Sequence, residues 1–295
     1  MLKRLPILCA ALLALAACSH DSDTGGTTPA GPTAAATTPV PAAAATTSPA
    51  TPATTPSPAA ASSTTPDAAA TTVQTTAPAS NAPPPAPFVD NGKWVEGKNY
   101  FVIEPAQATS HPGKIEVTEV FSYACPACNQ FHTTADEIAR TLPAGAVMNY
   151  LPASFRPDEN WPLFQRAFYT AQALGVVDKT HDAMFDAIWV SGELATDNLK
   201  TGRLKPKEAW PTIDDVAKFY AKFGADPKEF TGIANSFTIN TKMKQADDLI
   251  KAYSVASTPG IVIDGKYRLD PISAGGYPQT MELVQWLVSK EAAGK

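Results

Sequence analysis

Aromatic side chains are missing from the first 87 residues of this 295-residue chain, and no lysine or arginine lies between Arg4 and Lys93. A stretch so poor in aromatics and charge cannot bury a core, so whatever folds must lie beyond it. Cysteine is scarce too. Its four copies are Cys9, Cys18, Cys125 and Cys128, and one close pair cannot staple a domain, which excludes a disulfide scaffold. No apolar run reaches the roughly 18 residues that would cross a bilayer; the longest is Leu5 to Ala17. With a net charge of −5 and no Lys/Arg block, neither nucleic acid nor an anionic lipid surface is expected as the main partner.

What is present begins with an address. Met1-Leu2-Lys3-Arg4 gives a positive start to the apolar run, the pattern of an export signal over residues 1–17. The run ends Leu15-Ala16-Ala17-Cys18, which resembles the bacterial lipobox, where the cysteine receives a diacylglycerol and the chain is cut just before it. An ordinary signal peptide is the other reading. Ser19 stands where inner-membrane retention would prefer Asp, so the resemblance leans towards the outer membrane. Several acyl chains on Cys18 would hold the protein durably on a membrane. Residues 19–87, rich in Pro, Ala, Thr and Ser and holding half of the 28 prolines, then read as an unfolded tether. At about 3.1 Å per residue its full reach is roughly 200 Å.

Residues 88–295 carry every aromatic side chain and have the size of one domain. Tyr100–Ile103 and the β-branched run Ile115–Phe121 predict strands. Pro126 breaks the second of these. Phe131, Ala135, Ile138, Ala139 and Leu142 then share one helical face until Pro143-Ala144-Gly145. Ala146–Leu151 predicts a further strand. Between about 158 and 253 the spacing predicts helices over Leu163–Leu174, His181–Trp189, Ile213–Phe223 and Ile239–Tyr253, punctuated by Gly175, Gly192, Gly224 and Gly232, with no good strand. Gly260–Ile263 and Lys266–Leu269 flank Asp264-Gly265, a strong hairpin signal. A last helix, Pro278 to about Glu291, would bury Met281, Val284, Leu287 and Val288. The order is β-β-α-β, a helical block, then β-β-α.

Cys125-Pro126-Ala127-Cys128 sits where the second strand gives way to a helix. Unpaired amides and the positive dipole end there favour a thiolate at the first cysteine, within a range of roughly 3.5 to 7.5 for such motifs. A thiol that ionises easily is also a good leaving group, which makes the disulfide a ready oxidant. Pro126 in the first turn lacks only a donor that would be unused. A c-type haem would need His after Cys128, where Asn129 stands. Zinc would need four ligands, and Cys125, Cys128 and His132 supply three; His132 is more simply a helix side chain. A structural disulfide closing so short a loop would add little stability. In Ile115–Phe121 the alternation puts Glu119 on the face of Ile115, Val117 and Phe121, at least partly buried. From there it would be able to move protons to or from Cys128.

From Trp94 onward the chain resembles the DsbA-type thiol:disulfide interchange proteins of the thioredoxin superfamily. The resemblance rests on Glu119 to Phe131 (EVFSYACPACNQF), the long helical insertion, and Ser257-Thr258-Pro259-Gly260 before the hairpin. It implies an α/β thioredoxin-like fold, a central mixed sheet flanked by helices, with a helical domain inserted at about 158–253. It also implies an exposed Cys125 that accepts the substrate sulfur, a buried resolving Cys128, a cis peptide at Thr258-Pro259 facing them, and an acid at Glu119 that tunes the pair. The redox-active Cys125–Cys128 disulfide would serve in place of any cofactor. Partners would be exported proteins with free thiols and a quinone-linked reoxidase in the inner membrane. Two departures stand out. Ala127 replaces the His of the best-known members, which removes a charge-assisted donor and predicts a less oxidising pair. Thr258 replaces the Val of some members, as in several isomerase and reductase relatives.

Three functions follow: a lipid-anchored periplasmic oxidoreductase, monomeric, that donates its disulfide; a reductase or isomerase of the same fold; and a non-enzymatic envelope lipoprotein that binds metal or a protein partner.

Overall fold

The structure, a computed structural model, describes residues 87–295; the export signal, Cys18 and nearly all of the tether lie outside them. Strand β1 (Phe101–Val102) and β2 (Ile115–Phe121) lead into helix α1 (Pro126–Thr141) and strand β3 (Ala146–Pro152). Strands β2 and β3 are parallel, with Ile115 opposite Ala146 and Phe121 opposite Pro152. That pairing requires α1 to cross one face of the sheet.

Seven elements follow before the sheet resumes. They are α2 (Trp161–Ala173), α3 (His181–Trp189), the short pair β4 (Asp197–Asn198) and β5 (Arg203–Leu204), then α4 (Ile213–Ala221), α5 (Pro227–Ala234) and α6 (Phe237–Ala252). Two expectations are corrected here. The block does contain strands, but β4 and β5 have two residues each, too few for alternation to show. Gly232 does not punctuate the helices; it lies inside α5, which starts where Asp226 accepts a hydrogen bond from the Glu229 N–H and Pro227 takes the first helical turn.

The chain returns through β6 (Gly260–Ile263), β7 (Tyr267–Leu269), α7 (Pro271–Ala274) and α8 (Tyr277–Ala292). The sheet order is β1-β7-β6-β2-β3, antiparallel except for β2 and β3. Asp264 and Gly265 both adopt positive φ in the β6–β7 turn, where the Lys266 N–H donates to the Ile263 carbonyl at 2.9 Å and Ile263 pairs with Tyr267 across the hairpin. At Gly265 an added Cβ would also lie 2.1 Å from the Gln107 carbonyl oxygen.

Each face of the sheet has its own core. On one, Val117, Ile261 and Ile263 pack with Phe131 and Ile138 of α1 and Leu283, Val284 and Leu287 of α8. On the other, Val120, Phe121, Leu151 and Val262 join the inserted helices. Strand β2, in the interior of the sheet and covered on both faces, is buried from Glu116 to Phe121. The candidate chemistry starts at its end.

Candidate active site

Between β2 and α1 the backbone turns through Ser122, Tyr123 and Ala124. The Cys125 N–H donates to the Ser122 carbonyl at 3.0 Å and the Ala124 N–H to Ser122 Oγ at 3.2 Å. Cys125 thereby becomes the N-cap of α1 with extended φ and ψ, and its sulfur accepts the Cys128 N–H at 3.4 Å. A sulfur takes the role that Ser or Asp oxygens fill at most caps. Pro126 occupies the first helical turn.

The loop before β6 closes the site. The Cys125 thiol donates to the Thr258 carbonyl at 3.6 Å, and the Thr258-Pro259 peptide is cis, as the motif implies. Gly260 is forced by space, since a Cβ there would meet Val255 Cγ1 at 2.7 Å. One expectation needs correction. Cys125 is not openly exposed: it is 5% accessible, against 0% for Cys128. The Thr258 carbonyl, 3.6 Å from the sulfur, is one of the groups that cover it.

The two thiols are both free and are driven apart in acidity. A hydrogen bond from the Cys128 thiol, helped by Thr258 and by the backbone amides of Cys128 and Ala127, holds the Cys125 thiol down at about 6 against the opposing effect of burial. Burial first, and then its bond to Cys125, pushes Cys128 well above the ordinary thiol range. One sulfur is thus an anion at neutral pH and the other keeps its proton.

Glu119 is 2% accessible. Burial, followed by the charges of Asp136 and Cys125, raises its carboxyl to about 8, so it too is protonated at neutral pH. Its carboxylate, formed only above about 8, is one of the charges that would push Cys128 up further.

Sequence spacing does not find Tyr277. Burial and then the nearness of Cys128 and Cys125 raise its phenol, and its ring lies 5.2 Å from Phe131. A tyrosine opening α8, far along the chain from the cysteines, carries no local signal. Ser122 is missed as well, although its position three residues before Cys125 is that of a turn-closing carbonyl.

His132 does not join the cysteines. It stacks on Phe185 of α3 at 5.0 Å, and its nearest possible metal-binding companions are Asp136 and Asp182, with donor atoms within 4.8 Å of one another.

The geometry has close counterparts among known proteins. A family model described as thioredoxin matches residues 111–282. The thiol:disulfide interchange protein DsbA of Pseudomonas aeruginosa is 35% identical over 200 residues, 68% of this chain and 87% of the relative. That of Azotobacter vinelandii is 33% identical over 199 residues, 68% of this chain and 85% of the relative. Among solved structures, Pseudomonas aeruginosa DsbA superposes with a TM-score of 0.59 at 34% identity, covering 70% of this chain and 98% of its own. The oxidoreductase DsbA of Xylella fastidiosa gives 0.59 at 28% identity, covering 68% and 98%.

Proposed function

This chain belongs to the DsbA-type thiol:disulfide interchange proteins of the thioredoxin family and is a thiol:disulfide oxidoreductase; we propose that it works as an oxidant, donating the Cys125–Cys128 disulfide to exported proteins. Family membership sets aside the reading of a non-enzymatic binding lipoprotein. The observation that carries the proposal is the split in acidity, Cys125 drawn down to about 6 beside a Cys128 pushed up. A pair that is comfortable when reduced gives up its disulfide readily.

In the first step a substrate thiolate attacks Cys125 Sγ. The Cys125–Cys128 bond breaks, and Cys128 leaves with the electron pair and takes up a proton. The protonated carboxyl of Glu119 is the proposed donor, reprotonated from solvent. A second substrate thiolate then attacks the substrate sulfur of the mixed disulfide, and Cys125 departs as a thiolate. The substrate loses two electrons and both thiol protons; the pair gains the electrons, with one proton on Cys128. The Thr258-Pro259 loop would supply backbone groups to an extended substrate, Pro126 stiffens the turn, and Ala127 adds nothing to the thiolate beyond its amide. No other cofactor is needed, because the disulfide itself carries the electrons.

We place the protein in the periplasm, on a lipid at Cys18 and on the outer rather than the inner membrane, as a monomer reoxidised by a quinone-linked membrane protein. Residues 1–18 support the anchor. Among the described residues no helix is long and apolar enough to cross a membrane. The hydroxyl of Thr258 next to Cys125 favours a second reading, a reductase or isomerase. Oxidation of a reduced dithiol peptide by the oxidised protein, with Cys125→Ala inactive, supports the oxidant. A wild type that reduces insulin but oxidises no dithiol would favour the second reading.

A further inference from the structure

The turn that delivers Cys125 is gripped from outside by α3, through two contacts that the disulfide chemistry does not use. The bonds inside the turn, Cys125 N–H to the Ser122 carbonyl and Ala124 N–H to Ser122 Oγ, fix its shape. They do not fix where it stands. Two groups of the inserted block do. The indole N–H of Trp189 donates to the Tyr123 carbonyl at 2.8 Å, and the Tyr123 hydroxyl pairs with His181 Nδ1 at 2.8 Å. His181 opens α3 and Trp189 ends it. At 1.5 Å per residue these points are about 12 Å apart along the axis, so Tyr123 is held at two places and cannot hinge about one.

The surroundings make the grip rigid. Tyr123 is buried, its ring lies 5.1 Å from both Phe121 and Phe185, and Phe121 lies 5.2 Å from His181 and 5.6 Å from Phe168. Such edge-on aromatic packing resists small displacements. Burial keeps the His181 ring neutral down to about pH 4, so the contact with Tyr123 persists through the working range.

We propose that His181 and Trp189 are positioning residues, through which the helical insertion sets the redox poise of the Cys125–Cys128 pair. The Cys125 sulfur accepts the Cys128 N–H of α1 at 3.4 Å and, in its thiol form, faces the Thr258 carbonyl of a second element at 3.6 Å. Hydrogen bonds at such lengths weaken steeply with displacement. Tyr123 lies two residues before Cys125, so a turn released from α3 moves the sulfur relative to both partners at once. The thiolate of the reduced state, which needs the Cys128 N–H, loses more than the disulfide state does.

The test uses Trp189→Phe, which keeps an aromatic ring and removes the donor, and Tyr123→Phe, which deletes a single oxygen and keeps the question answerable if the first variant does not fold. Each is equilibrated with glutathione, titrated by thiolate absorbance and melted beside the wild type. The expected result is a three- to tenfold fall in oxidising power, the size of about one hydrogen bond felt by one redox state, with the thiolate midpoint moving up. Tenfold corresponds to about 30 mV for this two-electron couple. Folded variants with the wild-type glutathione equilibrium and thiolate midpoint would overturn the proposal, whatever their melting temperature. The inference rests on the redox reading above, and the two can fail separately: a wild type that does not exchange with glutathione at all would indict the function, not the grip.

Discussion

Raising the pH of the reduced protein through 6 should convert Cys125 to its thiolate in one step. The perturbation acts on the protons that the pair carries. Cys125 is held at about 6 against an ordinary thiol value of 9.0, so at pH 7 roughly ten thiolates exist per thiol. The sign follows from the depressed value. The stabilisation of the reduced folded state is complete above the ordinary thiol pKa and is lost as pH falls through about 6, while the disulfide state has no such dependence. At pH 7 the reduced state therefore gains roughly tenfold, or about 30 mV towards oxidising behaviour. A second consequence is a change of slope. Below the midpoint, reduction takes up two protons for two electrons and the potential falls by about 59 mV per pH unit; above it, with one proton, by about 30 mV. Thiolate absorbance and glutathione equilibria across this range read both quantities. A single slope of about 59 mV up to pH 8, with no thiolate below that pH, would refute the reasoning.

Cys125→Ala should abolish disulfide transfer, whereas Cys128→Ala should accumulate mixed disulfide at Cys125, seen by mass spectrometry. Glu119 is protonated in the fold up to about 8 against an ordinary carboxyl value of 4.5, so its burial costs increasing stability as pH rises from 4.5 to about 8 and levels off above. Glu119→Gln should remove that dependence, at most about 3 kcal/mol between pH 4.5 and pH 7, in denaturant unfolding of the reduced protein. Thr258→Val should move the Cys125 thiolate midpoint upward, because Thr258 helps to hold it down; an unmoved midpoint would assign that help elsewhere.

Much of this arrangement is legible in local pattern because local pattern is what builds it. The β-branched run Ile115–Phe121 marks the strand that buries Glu119, although Glu116 on its other face is buried as well, and Asp264-Gly265 is enough to make the hairpin. Cys125 at a helix cap follows from a strand run broken by Pro126. The His181–Trp189 spacing marks the right helix, yet nothing in it says that both ends of that helix reach Tyr123, since the contacts span 58 and 66 residues. The near-closure over Cys125 is illegible for the same reason: the covering carbonyl is 133 residues away. Helix α7 has four residues, and its start is written in the Asp270 side chain that accepts from the Ile272 and Ser273 N–H groups, a signal too short for periodicity to catch.

The central claim is that the cysteine pair oxidises the dithiols it meets. Its most direct test is the reduction potential at pH 7, from equilibrium with glutathione under exclusion of oxygen. The account predicts a value above about −180 mV, on the oxidising side of the disulfide isomerases. A value near or below about −270 mV, where thioredoxin lies, would contradict it and make the protein a reductant.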